Sequence, residues 1–513
     1  MTQYILAHDL GTSGDKATLF TEQGELVTSE VYPYDTRFFN GTWAEQKPSD
    51  WWDAVCATTR RILQSVDRSQ VAAVSFSGQM MGCVCVDEEG NALRNALIWA
   101  DQRAVEETAF IREHMEAGLF YQITGHRISP SYSAEKLMWV RNHEPDIFYN
   151  THKLLNAKDF VIHKLTGRFV TEYSDASGTH LLDLSNLCWS QEILDLVGFD
   201  ESVLPDLVPS THIAGGITKA AAEKTGLLVG TPVVMGGGDG LCAGVGAGCV
   251  KEGMAYTYVG SSSWISLCTS APVFDEEQRT FNWPHIVPGM YSPCGTMQAA
   301  GASFSWLQKE LALHETISAK QLHENVYDHI NNLIQGAPVG SNGLLFLPYL
   351  LGERSPWWNS DARGALIGLK MEHTRADVFR AVLEGITLNL GLIADIFKEH
   401  AEIDEMVVIG GGAQSHIWRQ LMADIYEMPV LKPNLLEEAT SMGAAITGGV
   451  GVGLFDSFDV VDRFISIEEH TRPILDHLAI YRQYRTLLQQ SYKALVDVYA
   501  SLQALPKISM RGF

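Results

Sequence analysis

Three short runs of glycine with small or hydroxyl residues each follow an apolar stretch: Asp9-Leu10-Gly11-Thr12-Ser13-Gly14, Gly260-Ser261-Ser262-Ser263 and Gly410-Gly411-Gly412-Ala413. Successive backbone N–H groups in such turns form concavities that bind anions. Glycine lets a phosphate oxygen approach the main chain, and hydroxyls add donors. One turn alone is equally a tight connection. Three of them, in corresponding places of two similar halves, point to a nucleotide held between two lobes. One turn from each lobe would take the phosphates, and the third would lie near the nucleoside. Asp9 stands just ahead of the first turn. A carboxylate there suits Mg²⁺, which uses one or two carboxylates plus phosphate oxygens; the plainer alternative is an Asp that caps its own turn. Asp239 lies between glycines after the apolar run 232–235, with no obvious ion-pair partner nearby in sequence. Open to a cleft, it can accept the proton of a substrate hydroxyl as that oxygen attacks phosphorus. Gln79, Trp99, Asp101 and Arg103 follow strand-like runs, where α/β proteins carry binding loops. Mixed polarity beside an aromatic face suits a polyhydroxylated sugar, although Arg103 also has Asp101 and Glu106 to pair with.

The elements that must position these residues are readable from pattern. Residues 4–8 form a short apolar strand, 9–14 a turn and 16–20 a strand again, with a third strand at 26–31. Residues 71–76 and 83–87 are further strands. A helix spans 49–63, with Ser49 or Asp50 as its N-cap. The second half restarts the same unit: strand 232–235, then strand 254–259, turn at Gly260, strand 264–268. The two hairpin turns begin at Gly11 and Gly260, nearly half a chain apart. Two similar α/β halves are the economical reading. Residues 376–397 carry a helical apolar stripe containing Gly385 and Gly391, which predicts close packing. Strand 406–409 and a helix from near Ser415 follow. From about 456 the pattern is helical, most clearly over 479–505. The expected domains are therefore 1–250, 251–455 and a C-terminal helical appendix at 456–513, which acts as a dimer surface or as a brace.

Composition bounds the class. The 513 residues include 37 Lys+Arg against 61 Asp+Glu, a formal net charge of −24, with 46% hydrophobic and 19% charged residues. That excludes a disordered chain. It argues against nucleic-acid and anionic-membrane partners, which need basic surface. No leader or spanning segment is visible, and the eight scattered cysteines read as mostly buried thiols, so a cytoplasmic, reducing setting is expected. There is no G-x-x-x-x-G-K-[ST], which excludes a P-loop enzyme, and no G-x-G-x-x-G opening a helix after the first strand, which argues against a Rossmann dehydrogenase.

These residues match a pattern. The start, Asp9–Gly14 with Lys16, resembles the first phosphate motif of the FGGY carbohydrate kinases. Ser131-Tyr132-Ser133-Ala134-Glu135-Lys136-Leu137-Met138-Trp139 resembles that family's first signature. Gly364-Ala365-Leu366-Ile367-Gly368-Leu369, with Asp377-Val378 and Ala381-Val382-Leu383-Glu384 beyond it, resembles the second. Leu351-Gly352-Glu353-Arg354-Ser355-Pro356 and Gly410-Gly411-Gly412-Ala413-Gln414-Ser415 are similar to segments of its xylulokinase members. The resemblance implies two ribonuclease-H-like domains, as in actin and hexokinase, with ATP and sugar in the cleft between them. It implies Mg²⁺-dependent transfer of the γ-phosphate to a hydroxyl of a small sugar, a ketopentose such as D-xylulose. Asp239 would be the general base and Asp9 the metal and phosphate carboxylate. Gly11, Thr12, Ser13, Lys16, Gly260, Ser261, Ser262, Gly301, Gly411, Gly412, Ala413 and Gln414 would contact ATP, and Gln79, Met80, Met81, Trp99, Asp101 and Arg103 the sugar. Two residues depart from the xylulokinase pattern: Met81 stands where His is usual, and Gly240 where Asn or Gln is usual. Each removes a group able to bond a sugar, which opens the acceptor to a related ketose or polyol. An actin-like ATPase that switches a partner is the alternative of another class, disfavoured by the two acceptor loops. A glycosidase built on Asp9 and Asp239 leaves the three turns unexplained.

Overall fold

The computed structural model describes residues 2–505; Met1 and 506–513 lie outside the described residues. In chain order the strands are β1 (Tyr4–Leu10), β2 (Gly14–Thr21), β3 (Leu26–Pro33), β4 (Val71–Gly78), β5 (Ile213–Gly216), β6 (Pro232–Gly238), β7 (Ala255–Val259), β8 (Ser263–Leu267), β9 (Phe281–Pro284), β10 (Tyr291–Met297), β11 (Met406–Ile409), β12 (Val430–Pro433) and β13 (Ile467–Thr471), besides short strands of two to four residues. The helices that matter below are α1 (Pro48–Ile62), α2 (Ser133–His143), α3 (Ala157–Thr166), α4 (Asp239–Gly246), α5 (Arg375–Lys398), α6 (Ala439–Gly451) and α7 (Leu475–Gln503).

The strands form two sheets of one design. The first runs β5-β6-β4-β1-β2-β3 and the second β13-β12-β11-β7-β8-β10-β9. In each, three central strands are parallel: β1, β4 and β6 in one, β7, β11 and β12 in the other. In each, an antiparallel meander extends one side and an antiparallel strand closes the other edge. The repeated strand–turn–strand unit is therefore a duplicated sheet, with β9 as one extra edge strand. These are the two ribonuclease-H-like domains of the actin and hexokinase type, mixed α/β in class, that the family resemblance implied.

The structure corrects two expectations. Helix α1 starts earlier than expected: its N-cap is Lys47, and Pro48 occupies the first helical position. Proline has no N–H to leave orphaned there, so Ser49 and Asp50 fall inside the first turn. The C-terminal segment is no appendix. Strand β13 pairs with β12, and Tyr481, Leu488, Tyr492 and Tyr499 of α7 are buried in the same apolar core as α5. Packing also runs back across residue 250. Helix α6 packs under β1, β4 and β6 of the first sheet, and Phe455, Phe458 and Phe464 share a core with Ile5, Ala7 and Phe20. The close packing expected of α5 is present: a Cβ on Gly391 would lie 2.7 Å from the Ile425 side chain. Seven cysteines are buried and Cys188 is exposed. No described helix is long and apolar enough to cross a membrane.

Candidate functional site

Parallel strands place their carboxyl ends along one edge, and the loops that leave that edge form the usual binding crevice of open α/β sheets. In the first sheet that edge carries Asp9 on β1, Ser77 on β4 and Gly237-Gly238 on β6, in register with one another. Ser77 Oγ donates to Asp9 Oδ1 at 2.9 Å. The chain leaves β6 directly into α4, so Asp239 is the first helical residue, and the Gly240 N–H donates to its Oδ1 at 2.8 Å. Both carboxylates are half-buried, and neither has a cation within ion-pair distance among the described residues. Burial pushes Asp239 up to about 7, and the facing charge of Asp9 adds to the rise. Burial likewise raises Asp9 to about 6, partly offset by the Ser77 hydroxyl. A carboxylate held near neutrality at a cleft floor is poised to exchange protons there.

The first turn is clamped from behind. The Gly11 carbonyl accepts from Tyr34 Oη at 2.6 Å and from Gln79 Nε2 at 3.3 Å. The Thr12 carbonyl accepts from Gln46 Nε2 at 2.6 Å and Thr36 Oγ1 at 3.2 Å. With the carbonyls tied down, the Thr12 and Ser13 N–H groups donate to no acceptor among the described residues. That is the arrangement an anion-binding nest requires. The second turn joins β7 to β8 and also leaves the Ser261 and Ser262 N–H groups without protein acceptors. Gly301 docks on it, its N–H donating to the Gly260 carbonyl at 2.9 Å, where any Cβ would collide. In the third turn Gly410 has φ +84, the region that favours glycine, and Gly411 faces open space. Ala413 is buried, and Gln414 Nε2 donates to Glu437 Oε1 at 3.4 Å.

The two lobes meet over this floor. Tyr256 Oη on β7 donates to the Gly240 carbonyl and accepts from Trp264 Nε1 at 2.8 Å. The Tyr258 phenol is raised by burial and by the facing charges of Asp239 and Asp9. Lys16 reaches across as well: its ammonium lies 3.1 Å from Glu438 Oε1 and donates to the Glu437 carbonyl at 3.2 Å. Expected on the phosphates, Lys16 is therefore engaged with the opposite lobe here.

Of the six acceptor residues expected, Trp99 and Met81 line the opening as half-buried side chains, and Trp99 Nε1 donates to Thr12 Oγ1 at 2.9 Å. Met80 is buried against Gly238. Gln79, Asp101 and Arg103 are all buried; Asp101 and Arg103 bond protein groups, whereas Gln79 Oε1 has no hydrogen-bond partner among the described residues. Gln79 braces the first turn. Asp101 accepts from the Ala44 N–H at 2.6 Å and pairs with Arg103 at 2.7 Å. The Arg103 guanidinium also bonds Glu45 and stacks 3.8 Å from the Trp43 ring centroid.

Sequence reading missed the layer beneath the floor. Lys158 of α3 is fully buried between Asp175 at 3.1 Å, Asp159 at 3.4 Å and Glu172 at 3.6 Å. Glu172 accepts from Ser174 Oγ at 2.5 Å, and Ser174 Oγ accepts from the Gly238 N–H at 2.9 Å, one residue before Asp239. Lys158, its three carboxylates and Ser174 all fall within 158–175, and only the Asn156–Asp159 capping box gives a local signal. Tyr256 and Trp264 were likewise unmarked, though both sit on strands flanking the second turn.

The comparisons agree with this geometry. Residues 4–246 match the model described as "FGGY family of carbohydrate kinases, N-terminal domain", and residues 255–452 match its C-terminal counterpart. The chain is 32% identical over 508 residues to the gluconokinase of Bacillus licheniformis, covering 98% of each chain. It is 33% identical over 506 residues to the xylulose kinase of Bacillus subtilis (strain 168), covering 98% of this chain and 96% of the relative. The solved structure of ligand-bound xylulose kinase from Lactobacillus acidophilus superposes with a TM-score of 0.91 at 27% identity, over 98% of this chain and all of that one. With both halves matched and relatives aligned end to end, this chain, a sugar phosphotransferase, belongs to the FGGY family of carbohydrate kinases.

Proposed function

We propose that the protein transfers the γ-phosphate of ATP to a hydroxyl of a small open-chain sugar, with Asp239 as general base. The observation that carries this is a carboxylate held at about 7 beside a second one, under turns with free N–H groups. The acceptor hydroxyl donates to Asp239, which takes its proton as the oxygen attacks phosphorus. The Thr12, Ser13, Ser261 and Ser262 amides hold phosphate oxygens, and lobe closure over Tyr256 and Trp264 excludes water. Asp9 fits a divalent cation: it is a hard oxygen donor at the floor, and Ser77 occupies only one of its oxygens. When bound, Mg²⁺ would neutralise charge on the transferring phosphoryl group. D-xylulose is the acceptor expected from the motifs, and the relatives named gluconokinase make D-gluconate the other. The test is ADP formation with ATP and a panel of ketoses, polyols and aldonates. A rate that no sugar raises overturns the reading.

Two further results are expected. Because Asp239 must be ionised to accept a proton, kcat/KM for the acceptor should rise about tenfold per pH unit below about 7 and level off above it. The inflection should move down as Mg²⁺ is titrated in, since a cation on Asp9 offsets the charge that raises Asp239. Glu438→Gln should release Lys16 for the nucleotide and lower KM for ATP about two- to fivefold, the worth of a partly exposed ion pair. Steady-state kinetics at saturating acceptor reads this, and a raised KM would place Lys16 off the phosphate path.

A further inference from the structure

Lys136 lies in the first turn of α2 and is fully buried. The helix dipole disfavours a cation there, and a buried ammonium is costly unless it is fully bonded. No carboxylate lies within ion-pair distance of it among the described residues. Glu135 is spent on His180 Nδ1 at 2.9 Å, and Asp101 on Arg103. Instead Lys136 Nζ donates to three main-chain carbonyls: Met81 at 2.8 Å, Ile98 at 2.7 Å and Ser131 at 2.5 Å. An ammonium has three N–H donors, and each goes to a different loop.

Two of the three loops are those expected to meet the acceptor, and the third packs against one of them. Met81 lines the opening and has φ +62, a conformation a non-glycine residue keeps only where its surroundings hold it. Ile98 precedes Trp99, whose indole holds Thr12 Oγ1. Ser131 precedes Tyr132, which shares an apolar cluster with Met80, Met81 and Trp264. We propose that Lys136 is the positioning residue of the acceptor pocket, one ammonium fixing the three loops that shape it. This rests on the kinase reading above. It accounts for a costly feature, a buried amine with no carboxylate within ion-pair distance among the described residues, by a geometry that an apolar side chain cannot supply.

The test compares wild type with Lys136→Met and Lys136→Gln, using whichever of D-xylulose and D-gluconate wild type phosphorylates faster. KM for the acceptor is expected to rise at least tenfold in Lys136→Met and less in Lys136→Gln, with KM for ATP within twofold of wild type. Hydrogen exchange should quicken in residues 79–82, 98–101 and 131–132 and stay unchanged in β1, β4 and β6. An unchanged acceptor KM in a folded variant overturns the proposal. So does an equal rise in both KM values, or faster exchange across the whole first lobe. Loss of fold in both variants overturns it in favour of a purely structural lysine. Wild-type turnover with neither sugar counts against the acceptors expected under the kinase reading instead, and the exchange pattern still decides the role of Lys136.

Discussion

Asp239→Asn is expected to slow phosphoryl transfer by about 10²–10⁴-fold, the usual contribution of a positioned general base, while ATP affinity stays equal or improves. The asymmetry follows from the site. Asn keeps the shape at the head of α4 but cannot take the acceptor proton. It also removes a negative charge that faces Asp9, the carboxylate suited to the cation and phosphates. Single-turnover measurement with saturating ATP isolates the chemical step, and calorimetry gives the nucleotide affinity. Near-normal turnover would sink the base assignment, and a large loss of ATP affinity would move Asp239 into the nucleotide site.

The second large effect is on stability. Lys158→Met should cost about 3–5 kcal/mol, because it strands buried carboxylates without their cation. Asp159, Glu172 and Asp175 all lie within 3.6 Å of the Lys158 ammonium, and Lys158 is fully buried. The penalty should shrink as pH falls, since protonation removes the stranded charge. Burial already raises Asp175 well above the usual carboxylate range, so it would be the first to take a proton. Denaturant unfolding of both proteins at several pH values reads this. A loss below about 1 kcal/mol would mean the cluster relaxes or admits water.

These two sites differ in how far the sequence showed them. Asp9, Asp239 and the turns at Gly11, Gly260 and Gly410 were legible because their chemistry depends on neighbours a few residues away. A strand end, a glycine and a hydroxyl are local signals. The duplicated sheet was legible for the same reason, as strand–turn–strand repeated. Lys158 was not, because its partners come from its own helix, from the end of the strand Val170–Glu172 and from the short helix Tyr173–Ser177, and no spacing announces a buried ion cluster. Gln79, Asp101 and Arg103 were placed on the right loops, but their bonds to protein groups were not foreseen. Position in a loop predicts proximity to a site, whereas the direction of a side chain is decided by what it meets in three dimensions. Here those partners are Gln46, Glu45 and Trp43. Helix α6 and the phenylalanines beyond it read as part of the second half because nothing in their own sequence says which sheet they cover.

That last placement bears on synthesis. The face of the first sheet that α6 covers is complete once β6 has emerged, yet its cover begins at Ala439, about 200 residues later. At about 5–20 residues per second, a ribosome needs about 10–40 s to deliver it. For that interval Ile5, Ala7 and Ser75 lack the helix that packs on them. The first lobe therefore cannot finish folding as an independent, N-terminal-first unit. The nascent chain has to carry an open apolar sheet until the second lobe has nearly been made.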